Sequence, residues 1–204
     1  MAENARVTKD THEAARGGVI EAAERCIRRH GIVKTTMDDI AREAGMSRPS
    51  IYRYFADREE LLVALTTKHS RALTKRAHRF IARQHSFAEQ LVEGLIYIAD
   101  HGHRDEFTRS LLTRDGSDFR RLLRSTDAFT VLTAEFWDLF LDAAERNGEL
   151  KKDIDRRDMH VWLGSVGLML MSFFEQSPRQ PRDYRTFLRT FIVPGFVAAA
   201  AQGS

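Results

Sequence analysis

Apolar residues recur along this chain three and four positions apart, and no stretch alternates strictly, so the pattern predicts an all-α fold. Ile20, Ala23 and Ile27 share one face of a first helix from about Ala14 to His30, with Gly31 as its stop. Met37, Ile40, Ala41 and Ala44 mark the buried face of a second, and Ile51 and Phe55 that of a third. Leu61, Leu62 and Leu65 then open a long helix reaching to about Arg83. The same spacing predicts helices from Ser86 to near Gly102, Asp105 to about Thr113, Ser117 to about Ser125, Ala128 to Asn147, Asp155 to Gln176 and Pro181 to about Val193. Pro194-Gly195 should end or kink the last of these. Residues 1–13 are mostly polar and are expected to form a flexible arm.

The polar positions set the starts and stops. Thr36 is placed as an N-cap with Asp39 three residues on, a capping-box pair, and Asp38 and Asp39 sit at the positive end of the helix dipole. Gly45 follows the last buried residue, where a left-handed turn is needed. Ser47 caps the next helix and Pro49 falls in its first turn, where a missing N–H breaks no helical bond. The rest of that short helix carries Arg48, Ser50, Tyr52, Arg53 and Tyr54, more polar and aromatic groups than solubility requires. A helix, a glycine turn and a second helix bearing Arg, Ser and Tyr is the helix-turn-helix arrangement, whose second helix enters the DNA major groove.

Charge sharpens the picture. Over the whole chain the net charge is only +3, but residues 1–79 carry 16 Lys and Arg against 11 Asp and Glu, and the remainder 16 against 18. Only the N-terminal part is basic, as suits a molecule touching phosphate with one end. The lone Cys26 sits among Ala22, Ala23 and Ile27 and is read as a small buried apolar group. The longest apolar run, Val161 to Phe174, falls short of the roughly 20 residues that span a bilayer. With no signal-peptide pattern at the start, the expected location is the cytoplasm.

The run TTMDDIAREAGMSRPSIYRYFADREELL, within a stretch from about Arg16 to Leu65, resembles the DNA-binding region of the TetR (tetracycline-repressor) family of one-component transcriptional regulators. Beyond about residue 85 the resemblance is one of architecture. It implies an N-terminal three-helix DNA-binding domain at 14–65, with its recognition helix at about 48–54, and a helical ligand-binding and dimerisation domain at 66–204. The long helix after Asp57 would connect them. Carried over by position, Ser50 and Tyr52 are expected at bases or phosphates, and Thr36 and Tyr54 at phosphates. Arg58, where the family commonly has lysine, adds charge. From its chemistry alone, Arg48 at the N-terminal end of the recognition helix is the residue expected to read a guanine edge. Pro49 offers apolar contact to a thymine methyl, and Arg53 is a further candidate contact.

The penultimate predicted helix is apolar on most sides and the last, amphipathic one offers Tyr184, Phe187, Leu188, Phe191 and Ile192, so a second copy of the chain would cover them in a four-helix interface. A homodimer with two recognition helices reads a pseudo-palindromic operator on double-stranded DNA. Tyr97, His101, Phe107, Arg109, Phe136, Trp137, Phe140, Trp162, Met169 and Phe173 are the candidate lining of a pocket for a small, largely apolar effector; packing into the core is the competing reading of the same residues. Repression is the expected sign, since a dimer on a promoter blocks polymerase. The alternatives are an architectural or protein-partnered DNA binder, and an enzyme. His101-Gly-His103 with Asp105 and Glu106 fits neither HExxH nor a di-iron pattern, and no nucleophile elbow, phosphate loop or CxxC is present, so no catalysis, metal or cofactor is expected.

Overall fold

Helix starts in this protein follow the capping chemistry closely. The computed structural model describes residues 2–105, 127–176 and 181–198. Thr36 caps α2 (Met37–Glu43) in a complete capping box: the Asp39 N–H donates to the Thr36 hydroxyl oxygen at 3.2 Å, and the Thr36 N–H donates back to the Asp39 carboxylate at 3.1 Å. Ser47 caps α3 (Arg48–Ile51), Asp57 caps α4 (Arg58–Ile81) and Ser86 caps α5 (Phe87–Arg104), each accepting from a backbone N–H three residues on. Further along lie α6 (Asp127–Arg146), α7 (Arg156–Gln176), α8 (Pro181–Phe191) and the single turn α9 (Val193–Phe196). Among the described residues no strand forms; one isolated antiparallel bridge pairs Leu150 with Val197.

Three boundaries differ from the sequence-based expectation. The first helix, α1 (Ala2–His30), begins well before Ala14, because residues 2–16 contain no glycine or proline and the polar stretch continues the helix. The recognition segment is α-helical only over Arg48–Ile51. From Tyr52 to Phe55 the chain goes on as tight turns, the Tyr54 and Phe55 N–H groups both donating to the Ile51 carbonyl at 2.9 and 3.1 Å. At the other end Phe191 closes α8, and Pro194 falls in the first positions of the separate turn α9. The helices expected at Asp105 to Thr113 and Ser117 to Ser125 fall, past Asp105, outside the described residues.

Two hydrophobic clusters hold the chain. Val19, Ala22, Ala23 and Cys26 of α1 meet Met37 and Ile40 of α2, then Ile51, Phe55, Leu61 and Leu65. Cys26 is buried as read, its Sγ–H directed at the Asp39 carbonyl at 3.6 Å, and burial pushes its thiol pKa up. The second cluster joins Ala77 and Ile81 with Leu91, Leu95 and Ala99 of α5, Phe136, Trp137 and Leu141 of α6, Leu163 and Leu170 of α7, and Leu188 of α8. Helix α4 therefore belongs to both cores, its first turns to one and its last to the other. At about 1.5 Å per residue it is a single rod running between them. Helix α5 lies at the centre of the second core, against α4, α6, α7 and α8. Its approach to α6 depends on Gly94, where a Cβ would stand 2.6 Å from Trp137 Cη2. Bidentate pairs from Arg71 to Glu135 (2.8 and 2.6 Å) and from Arg185 to Glu93 (2.6 and 2.8 Å) clamp α6 to α4 and α8 to α5.

Candidate nucleic-acid interface

The recognition segment is anchored from beneath. Ile51 and Phe55 are completely buried, and the guanidinium of Arg16 on α1 lies 4.5 Å from the centre of the Phe55 ring. Gly45 makes the turn that delivers it, with φ +66 and open space around it, a conformation that costs a residue with a Cβ on the order of 1 kcal/mol. Not all of the expected set is turned fully outward, and Tyr54 packs partly against the first core. Arg48, Pro49, Tyr52 and Arg53 are exposed, Ser50 and Tyr54 half-buried.

Arg48 is not a loose side chain. Its Nη1 pairs with Asp38 at 3.2 Å, its Nη2 donates to the Tyr52 hydroxyl at 3.4 Å, and the guanidinium stands 5.7 Å from the Tyr52 ring centre. Asp38, read above as a dipole partner only, thus also orients the residue expected to read a base. Arg53 makes no ion pair among the described residues. Ser50 Oγ lies 2.8 Å from Ser47 Oγ, and the Tyr54 ring rests on His12 of α1 at 4.8 Å. Thr36 is exposed at the start of α2, its hydroxyl donating to Asp39 at 2.6 Å. That hydrogen bond, and the one from the Thr36 N–H, hold the Asp39 carboxyl below the usual aspartate range.

Arg58 departs from the expectation of a phosphate contact. It is half-buried and turned inward, donating to the carbonyl of Thr35 at 3.1 Å and to that of Ile32. It ties the start of α4 to the link between α1 and α2. The reason is local: at the first position of α4, beneath an Asp57 cap, the long side chain reaches two carbonyls that no helix satisfies.

The candidate effector residues separate into several places. Phe136 and Trp137 line a partly open cavity of about 160 Å³ between α4, α5, α6 and α7. Its other walls are Thr66, His69, Ser70, Leu73 and Thr74 of α4, Phe129 and Thr133 of α6, and Leu163, Gly164, Gly167 and Met171 of α7. Phe140 is core, edge-on to His78 at 5.2 Å; Tyr97 stacks on His101 at 3.8 Å, away from this cavity. Trp162 and Met169 line an outward groove with Phe187 and Phe191, and Phe173 is exposed. Spacings of 7 and 11 from Trp162 put Met169 and Phe173 on one helical stripe, roughly opposite the stripe of Leu163, Gly167 and Met171. Phe107 and Arg109 lie outside the described residues.

The α4 wall was missed because Lys68 to Arg79 reads as a solvated basic face. A signal was present: Thr66, His69, Ser70, Leu73, Thr74 and Ala77 keep helical spacing on the other side. Among the described residues no helix is long and apolar enough to cross a membrane.

Residues 19–65 match the family model of bacterial regulatory proteins, tetR family. The HTH-type transcriptional regulator YfiR of Bacillus subtilis, itself uncharacterised, is 34% identical over 101 residues, 47% of this chain and 49% of its own. TtgR of Pseudomonas putida, another HTH-type transcriptional regulator, is 43% identical over 60 residues, 29% of each chain. The chain thus spans about half the length, or less, of the curated relatives it matches. Among solved structures, RolR in complex with resorcinol superposes with a TM-score of 0.69 at 15% identity, over 95% of this chain and 93% of that one. Residues 19–65 thus carry the DNA-binding region of the TetR family of bacterial transcriptional regulators, and the helical body that follows shares its fold with RolR.

Proposed function

We propose that the chain works as a homodimeric repressor, binding a pseudo-palindromic operator and leaving it when a small, largely apolar effector occupies the cavity of the second core. The observation that carries the reading is the outward display of Arg48, Pro49, Tyr52 and Arg53 on a segment anchored by Ile51 and Phe55. Arg48 then reads a base edge, Ser50 and Tyr52 add base or phosphate contacts, and Thr36 and Tyr54 meet phosphates. Arg58 acts by holding the link before α2. The DNA-binding unit spans about 14–65, and the rest binds the effector and the second copy.

Trp162, Phe173 and Phe191 are 55%, 43% and 68% exposed on α7 and α8, a concentration of aromatic surface that a second copy would cover. The cavity is close to the roughly 150 Å³ known to hold benzene, so it has room for a single ring. RolR, which shares the fold, was solved with resorcinol, a ligand of that size. Because α4 lines this cavity and also enters the first core, an effector that shifts α4 moves the recognition segments. A preference of about 1–3 kcal/mol for the DNA-incompetent form is sufficient coupling.

Selection of bound duplexes from a random pool by purified protein should recover an inverted repeat, and a small, largely apolar single-ring compound should release it saturably. Recovery of an inverted repeat that no such compound releases would favour the architectural alternative.

A further inference from the structure

We propose that the effector is an amphipathic organic acid, with its apolar body in the cavity and its acidic group in a charged cleft that shares a wall with that cavity. The inference rests on the effector reading above and specifies the chemistry of the ligand.

The cleft, about 310 Å³, lies between α1 and the facing parts of α4 and α5. His69 and Leu73 line both spaces, so the two adjoin across the α4 surface. Inside the cavity the polar groups are uncharged, the hydroxyls of Ser70 and Thr74 among them. Thr66 and Thr133 direct their hydroxyl hydrogens to the carbonyls of Leu62 and Phe129, at 2.8 and 2.9 Å, and keep only acceptor capacity. Positive charge begins at the shared wall. The cleft presents Arg28, Lys68 and Arg76 together with the imidazoles of His69 and His101, against the carboxylates of Glu24 and Asp105.

Those carboxylates are already attended. Glu24 receives Arg28 at 2.8 Å and Lys68 at 3.0 Å, with His69 Nε2 at 3.4 Å; His69 Nδ1 is 3.7 Å from Asp105. Arg76 has no ion pair among the described residues. An incoming carboxylate therefore finds one uncommitted guanidinium and an ammonium it can share, whereas an amine would meet three cations first. The acid also has a route to the DNA-binding unit. Glu24 belongs to α1, and Lys68 and His69 are its ties to α4. A ligand carboxylate that draws Lys68 and His69 to itself weakens the hold of α1 on α4, next to the cavity whose filling moves α4.

The test uses the purified chain and three probes of one shape: 3-phenylpropionate, 3-phenylpropanamide and 3-phenylpropylamine, titrated calorimetrically at a single ionic strength. The acid should bind tighter than the amide by about tenfold, the increment of one charge-assisted hydrogen bond, and the amine weakest. Arg76→Gln, at an exposed position, should reduce the acid's advantage and leave the amide's affinity unchanged. An amide that equals the acid, an amine that binds best, or an acid that does not bind would each overturn the assignment. If the amide then still releases the selected duplex, control by an apolar effector stands and only the acidic specificity fails. An acid that binds as described without releasing DNA supports the ligand class and contradicts the regulatory reading.

Discussion

Arg48 and Arg58 stand ten residues apart, and both suggest a positive charge offered to DNA. The structure separates them by where the guanidinium points. Arg48 is exposed and steadied by Asp38 and Tyr52, so its fork is presented in a preferred orientation. Arg48→Ala should cost roughly 1–3 kcal/mol on the selected operator and flatten the preference at one base pair, read by competition against singly substituted duplexes. Equal loss on all duplexes would contradict base reading. Arg58 faces the carbonyls of Ile32 and Thr35. Arg58→Ala should lower the unfolding free energy by about 1–3 kcal/mol, the cost of leaving such groups unpaired, and weaken all duplexes alike. The slope of log affinity against log salt should stay as in the wild type; a slope smaller by about one would mean a phosphate contact after all.

At the scale of elements, the capping box of α2 links local chemistry to the interface, since it sets where α2 begins and so where Thr36 and Asp38 stand. Hydrogen bonds from Thr36 hold the folded Asp39 carboxyl below its unfolded value. A depressed carboxylate contributes stability that is fully present above the unfolded pKa, near 4, and lost as pH falls through the folded one. Chemical denaturation from pH 6 down to 3 should therefore show part of the acid loss of stability disappearing in Asp39→Ala, which lacks the contribution at every pH. An unchanged acid limb in that variant would exclude this role for Asp39.

Elements of this kind were legible in the sequence because caps and stops are local: Thr36, Ser47, Asp57 and Ser86 act within three residues of themselves. The candidate effector lining was less legible. Whether Trp162 or Leu163 faces a cavity depends on which side of α7 meets α6, and both sides of that helix are apolar. The polar wall of α4 was hidden by the lysines and arginines on its other face. The inward turn of Arg58 had no signal, since it depends on carbonyls left open 23 and 26 residues earlier.

For the whole molecule, the proposal requires two recognition segments held at a fixed separation by the apolar faces of α7 and α8. Half-sites about one helical turn, or a multiple of it, apart would then be read together. The most direct measurement is binding of the purified chain, at fixed salt, to the selected inverted repeat and to the same duplex with one half scrambled, with mass determined for the protein alone and in complex. Two chains in solution, an even number on the intact site and a large loss of affinity on the half-scrambled one are predicted, with Trp162→Glu/Phe191→Glu monomeric and weak on both. A monomeric wild type that binds intact and half-scrambled duplexes equally well would contradict the account.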